Sequence, residues 1–455
     1  GAFGGWTREQ VELFCVDHLL MVEINCNDEF ITLDFVFPTT EVGNIGYGDD
    51  LKAGINGCEA VLQVVREIVQ GFEWEADALG RAKASFHSSY DGLYKSLENM
   101  SAEKVVGEMT DGDDRFVSVG HDEIDAITLD DARNAVMSQL LPSEIEISMV
   151  GDFEVNKALD LVKQYIGTIP ANANEEFLAN APNADAAVRS GSGALAPVYS
   201  VPPLPLPARH LSFELEDPDP RAISYVSGAA PNSWGYFQDG TNLADRLRGL
   251  DKSASAFDNQ RRGHPLFSRC ALLLVSEITN RRLFSNVREK RQLTYDANFQ
   301  FTGYEQLAGG FFLCTVTASQ EKAELAMEAC KETLEALVSN QPVTGDNLES
   351  AKRVVVNRHE GEMRTTRYLA ELMSGLQLDC VPKKGPLSLT DFNAMVQAIT
   401  VKDLQLVLEA IDVTNNLYSA IGKTVKPEGY VEPDESDGPV LTRAPPGVSG
   451  TALTG

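Results

Sequence analysis

The sequence predicts an α+β protein made of two related units, and three observations carry that prediction. Short elements recur in one order at nearly one offset. Each unit alternates strand-like with helix-like periodicity. The first unit is shorter at its start than the second. The element Asp77-x-Leu79-x-x-Ala82-Lys83 returns as Asp346-x-Leu348-x-x-Ala351-Lys352. Ile127-Thr128-x-x-Asp131 returns as Ile399-Thr400-x-x-Asp403, and Ser148-Met149-Val150-Gly151 returns as Ser419-Ala420-Ile421-Gly422. Ordered matches at almost constant spacing mark an internal duplication.

Within each unit the elements follow one another in the same order. A strand comes first, over residues 30–37 (FITLDFVF) and 310–316 (GFFLCTV), both rich in β-branched and aromatic residues. An amphipathic helix follows. Val61, Val64, Val65 and Ile68 share one face in the first unit, and Met327, Cys330, Leu334 and Leu337 do so in the second. The D-x-L-x-x-A-K element opens a second helix, with its Asp as the candidate N-cap. The Ile-Thr element opens a third, with Thr as the N-cap. A short strand closes each unit, at residues 145–150 and 417–421. Helices and strands in this order suggest a sheet covered on one face by helices.

The copies differ in completeness. The second has two further strands, residues 210–215 and 222–226, before its long apolar helix; the first has almost nothing comparable before Arg8. The first unit is therefore expected either to lack its opening strands and leave a sheet edge unfilled, or to be a shorter domain by design. The resulting organisation is a first unit over 1–170, a linker over 171–209, a second unit over 210–425, and a disordered tail over 426–455. Ala, Asn, Gly and Pro dominate the linker, which ends in VPPLPLPAR and reads as mobile with a stiff end. Residues 240–263 read as a surface insertion.

Composition narrows the function classes. At 455 residues and 43% apolar composition the chain can bury substantial cores. Its formal charge of −29 argues against nucleic acid, because phosphate binding needs clustered cations. It serves solubility, or the attraction of basic ligands, instead. No run of eighteen apolar residues exists, so no membrane span is expected, and no targeting signal is visible. Seven cysteines without a C-x-x-C read as reduced core residues.

Chemistry-bearing motifs are few. Neither H-x-x-E-H nor H-E-x-x-H can be written among the six histidines, so no metal ligand and no catalytic residue is assigned in this chain. The closest pair, His87 and His121, lies far beyond the one-turn spacing of a helical metal motif, and His359-Glu360 reads as part of a solvated helix face. Gly43–Gly48 and Asp111–Asp114 read as turns. One stretch differs: residues 283–301, LFSNVREKRQLTYDANFQF, place Arg288 and Tyr295 seven residues apart between an apolar helix (residues 267–284) and a strand. In that strand Tyr295, Ala297, Phe299 and Phe301 share a face. On the residues alone this is either a surface Arg beside a core Tyr, or a pair of donors able to hold a peptide carbonyl or a developing oxyanion.

The stretches WTREQVELFCVDHL, TLDDARNAVMSQLLPSEIEISMVGDF, GAAPNSWGY, HPLF and NRRLFSNVREKRQLTYDANFQF together resemble the pitrilysin/insulinase-type zinc metallopeptidases. The resemblance is to the plant and algal members that process imported chloroplast precursors, and covers roughly residues 6–168 and 210–424. It implies two α/β-sandwich domains, antiparallel sheets covered by helices, forming the C-terminal non-catalytic half of a metalloendopeptidase of the chloroplast stroma. It further implies zinc held by ligands outside this chain, in an N-terminal zinc-bearing half joined in cis or in trans. Arg288 and Tyr295 match the family's Arg and Tyr that reach toward substrate, and only these two are carried over as substrate-binding residues. The substrates implied are basic transit peptides, Arg- and Ser-rich and poor in acids. The alternative is a free-standing non-catalytic subunit of a two-chain processing peptidase that binds presequence peptides.

Overall fold

The computed structural model describes residues 2–3, 6–38, 57–70, 72–142, 145–180, 200–294, 296–375 and 390–427. The second unit is organised on a five-stranded sheet. Its strands are β5 (His210–Glu216), β6 (Ala222–Ala230), β7 (Asp296–Phe301), β8 (Gly310–Ala318) and β9 (Tyr418–Val425), in the order β5-β9-β6-β8-β7. Only β5 and β9 run parallel; the other pairs are antiparallel, with Val226 opposite both Cys314 and Ser419. β6 is buried along almost its whole length, as a central strand covered on both faces must be.

One face of this sheet carries the larger core. Ala222, Val226, Phe299, Phe312, Cys314 and Val316 pack there against Phe267, Cys270 and Leu274 of one helix (Pro265–Leu283), Cys330 and Leu334 of a second (Ala323–Val338) and Leu404 and Val407 of a third (Val401–Ile411). The expectation of a sheet covered on one face is corrected by what lies on the other. Leu97, Met100, Val105 and Met109 of a first-unit helix (Leu97–Met109) pack on Ile223, Tyr225, Phe311, Tyr418 and Ala420. Alternate residues of a strand point to opposite faces. The apolar residues at 223 and 225 are therefore covered by this first-unit helix, with Val201 and Leu307 beside it.

The first unit is sparser: β1 (Ala2–Phe3) and β4 (Phe72–Glu73) form a two-residue antiparallel pair. An antiparallel ribbon of β2 (Met21–Cys26) and β3 (Ile31–Val36) turns Leu33 and Phe35 toward Val61, Val64 and Ile68 of the helix Gly57–Gln70. The strand expected at residues 145–150 does not form: these residues run without strand pairing. Their counterpart, β9, is held between β5 and β6, and the described part of the first unit offers no such neighbours. Met149 instead packs beside Cys58 and Leu62.

The helix starts show which local signals decide. Thr128 and Thr400 are N-caps with full capping boxes, each hydroxyl accepting from the N–H of Asp131 or Asp403 three residues on. Asp77 and Asp346, expected to cap, lie inside their helices. The caps are Glu75, without a side-chain bond, and Thr344, whose hydroxyl takes the Asn347 N–H. A β-hydroxyl one turn ahead is better placed to satisfy the free N–H than a carboxylate already in helical geometry.

Three further expectations change. The 240–263 segment is no surface insertion: it forms two helices (Leu243–Leu250 and Ala256–Arg262) and buries Leu243, Leu247 and Arg262. His359 is buried, stacked on Phe392 and hydrogen-bonded to the Tyr368 hydroxyl at 2.9 Å, so only Glu360 of that pair faces solvent. The described ends of the 171–209 segment are packed: Asn174 Nδ2 donates to the carbonyls of Val69 and Leu140, and Val201 is buried beside Leu307. The turn expected at residues 43–48, Cys380, and nearly all of the 426–455 tail lie outside the described residues.

The ribbon's tip meets the second unit. The Glu29 carboxylate accepts the backbone N–H groups of Glu305, Gln306 and Leu307 at 2.9, 2.5 and 2.8 Å. Burial pushes the Glu29 carboxyl up, against those three donors, which pull it down.

Candidate functional site

The Arg288 element begins at the end of the apolar helix Pro265–Leu283. There the backbone winds into a π-turn over Phe284–Lys290, anchored by buried Leu283 and Val287. π-helical turns are rare and are frequent at functional sites. Here the turn presents Arg288 to solvent with its guanidinium 4.8 Å from the ring of Phe284, itself 45% exposed. A cation over an exposed aromatic face is held in place without losing its donors.

Other cations nearby are engaged. Arg281 pairs with Glu277, Arg291 with Glu332, and Arg282 donates to Gln341, Pro342 and Asn347. Arg288 enters no ion pair among the described residues. Its planar guanidinium therefore offers a fork of N–H donors to a carbonyl or carboxylate arriving from solvent.

The chain then returns to the sheet through a constrained segment. Gln292 adopts a left-handed conformation at φ 50°, and Lys322 Nζ donates to its carbonyl at 3.0 Å. The Thr294 hydroxyl donates to the carbonyl of Thr317 on β8 and takes the Asp296 N–H at 2.9 Å, fixing where β7 begins. β7 starts at Asp296, and Tyr295, the second residue of the expected pair, lies outside the described residues. Phe299 is buried and Ala297 and Phe301 are half-buried, on the core face that alternation indicated.

Asn280, which sequence reasoning passed over, closes this segment. Its Oδ1 accepts the Phe299 N–H at 2.7 Å and its Nδ2 donates to the Phe299 carbonyl at 2.8 Å. β7 is the sheet's edge, so Asn280 stands where the next strand's backbone would pair. Residues 280–299 thus form a ring whose ends are clamped and whose exposed arc carries Phe284 and Arg288. Helical periodicity held no signal for either Phe284 or Asn280, because both roles arise from contacts across the turn.

The family that the sequence resembles uses a metal, and the described residues do not fit a catalytic metal centre: among them no group of three or more His, Cys, Asp or Glu is gathered to hold an ion. No described helix is long and apolar enough to cross a membrane.

Comparison with known proteins agrees with this architecture. The model of the peptidase M16 inactive domain matches residues 126–355. The chain is 32% identical over 438 residues to the chloroplastic stromal processing peptidase of Pisum sativum, covering 93% of this chain and 32% of that protein. The same protein of Arabidopsis thaliana is 32% identical over 441 residues, again covering 93% of this chain and 32% of its own. The chain thus spans 32% of the length of the curated relatives it matches. Among solved structures, a peptidase M16 inactive domain from Pseudomonas fluorescens superposes with a TM-score of 0.66 at 16% identity, over 93% of this chain and 86% of that one. The periplasmic protease PqqL from Escherichia coli does so with 0.63 at 14%, over 94% and 39%. At such identities the structures speak for the fold alone. The sequence matches go further: this chain belongs to the M16 peptidase family and carries that family's inactive domain.

Proposed function

We propose that this chain is the non-catalytic, substrate-binding part of a zinc metalloendopeptidase that removes transit peptides from precursor proteins in the chloroplast stroma. The observation that carries the reading is Arg288: an exposed cation without an ion pair among the described residues, stacked on Phe284 at the end of a clamped π-turn. It occurs in a chain 32% identical to stromal processing peptidases.

In this reading the Arg288 guanidinium donates to backbone carbonyls of an extended peptide, and the Tyr295 hydroxyl supplies a second donor. The zinc ligands belong to an N-terminal half joined in cis or in trans, and this chain by itself does not cleave. The formal charge of −29 raises the local concentration of Arg-rich peptides, within the roughly 8–10 Å over which salt leaves charges unscreened.

The test is fluorescence anisotropy of a labelled Arg- and Ser-rich transit peptide against this chain, with Arg288→Ala and Tyr295→Phe. A hydrogen bond from a charged donor contributes about 1.5–3 kcal/mol. Arg288→Ala should therefore weaken binding by about 10- to 150-fold. Adding a zinc-bearing N-terminal half should give cleavage that a chelator stops. Wild-type affinity in both variants would remove the substrate role of this pair. A chain that neither binds peptide nor supports cleavage would remove the reading altogether.

A further inference from the structure

His87 and His121, distant in sequence, meet at the surface of the first unit. His87 lies on the helix Ala76–Leu93 and His121 opens the helix His121–Ala126. Their rings meet edge to edge, with centroids 4.8 Å apart, 24° between planes, and Nδ1 atoms 2.6 Å apart. Each outer nitrogen meets a carboxylate: His87 Nε2 lies 2.9 Å from Asp125 Oδ1, and His121 Nε2 lies 2.9 Å from Asp91 Oδ1.

The hydrogen count at this pair is constrained. An ionised carboxylate only accepts, so both Nε2 atoms carry hydrogen. A neutral imidazole then has a lone pair at Nδ1, and here two such lone pairs point at one another. At 2.6 Å they repel unless a positive centre lies between them. One shared proton meets that need. So does a metal ion, and an imidazole whose second nitrogen donates to a carboxylate is the arrangement that metal-binding histidines use.

We propose that the His87/His121 pair is a site for a late first-row divalent cation, Cu²⁺ or Zn²⁺, bound through the two Nδ1 atoms. The cation takes the place of the shared proton, which leaves to solvent. Both outer N–H bonds stay intact, so the two carboxylates balance the incoming charge. Metal–nitrogen distances of about 2.0–2.1 Å put the nitrogens about 3.3 Å apart at the tetrahedral angle of Zn²⁺, and about 2.9 Å apart in the tetragonal geometry of Cu²⁺. The rings must open accordingly, and their side chains, 27% and 46% exposed, have room to do so. Water completes the coordination, since no third His, Cys, Asp or Glu among the described residues converges there. Two imidazole ligands favour Cu²⁺ over Zn²⁺. The Tyr90 ring stands edge-on to His121, and Lys83 Nζ donates to the Asp125 carbonyl at 2.8 Å, so the surround is already ordered. A bound cation would fasten the two helices together. The site is independent of the Arg288 element.

The test is titration of the tag-free, chelator-treated chain with Cu²⁺ and with Zn²⁺ by calorimetry, plus electron paramagnetic resonance of the Cu²⁺ form. One equivalent bound, with two nitrogen ligands in the Cu²⁺ spectrum, is expected. His87→Ala and His121→Ala should each remove that equivalent, while His18→Ala leaves it. Asp91→Asn and Asp125→Asn should weaken it by about 10- to 100-fold. Circular dichroism checks that each variant is folded, and the nitrogen count in the wild-type spectrum needs no variant. Absence of a bound equivalent, or one unchanged in both His variants, would overturn the proposal and leave a shared proton only.

Discussion

Asn280→Ala tests how the π-turn and strand β7 are held together. The substitution strips both bonds from Phe299: the N–H loses its acceptor at 2.7 Å, and the carbonyl loses its donor at 2.8 Å. The carbonyl keeps the Ser276 hydroxyl at 3.1 Å, so the N–H is the group left without a partner. An orphaned buried donor costs about 1–3 kcal/mol. Ser276→Ala removes the second donor to a carbonyl that Asn280 still serves, and a long 3.4 Å bond from Asn280 Nδ2, and should cost about 0.5 kcal/mol. Native-state hydrogen exchange, read at the Phe299 amide, is the assay. A loss of about 2 kcal/mol would speed exchange by about 30-fold in Asn280→Ala and hardly at all in Ser276→Ala. The freed edge should also promote strand pairing between chains, visible as concentration-dependent association. Because Arg288 lies inside the clamped ring, the proposed peptide binding should weaken as well. A Phe299 amide that exchanges at the wild-type rate in Asn280→Ala would refute the clamp.

Two further outcomes concern the buried ion cluster under the helix Val401–Ile411. Asp403, with no exposed side-chain surface, meets Arg261 at 2.6 Å and Arg262 at 2.8 Å; Asp403→Ala leaves two guanidinium groups without it and should lower stability by about 3–5 kcal/mol in urea unfolding. Thr128→Ala, which breaks the duplicate cap on the first unit's surface, should cost only about 1 kcal/mol, and similar losses for both would show that burial does not govern the difference. Asp251 is held down to about 2 by the Lys402 ammonium at 2.6 Å and the Ser253 hydroxyl at 2.7 Å. A carboxyl depressed in the folded state stabilises above its unfolded value, about 3.9, and loses that contribution as pH falls toward 2. The stability gap between wild type and Asp251→Asn should thus be constant near neutrality and close over that acid window; a gap unchanged at pH 2 would contradict it.

Much of the second unit was legible because its signals are local. Its strands follow the apolar/polar alternation of 210–216 and the apolar stretches within 222–230 and 310–318, and the Thr400 cap follows from the spacing of a hydroxyl and an acid three residues apart. The same logic failed at residues 145–150. A strand needs partners for its backbone, and the similarity of these residues to β9 carries no information about whether partners are present. It failed again over 240–263, where polar residues suggested a surface loop. Arg262 is polar in sequence yet buried in fact, because Asp251 and Asp403 come to it from elsewhere in the chain.

The candidate sites divide along the same line. Arg288 and its place between an apolar helix and a strand could be read from residue order, as could the duplication and the M16 family, since each is a pattern along one dimension. Sequence by itself did not determine that Phe284 lies under the Arg288 guanidinium, that Asn280 seals the β7 edge, or that α-helical residues of the first unit cover the second unit's sheet. Nor did it bring His87 to His121. Those contacts join residues across a turn or across most of the chain. They are fixed only when buried apolar faces dock and set the distances at which a few polar atoms must find partners.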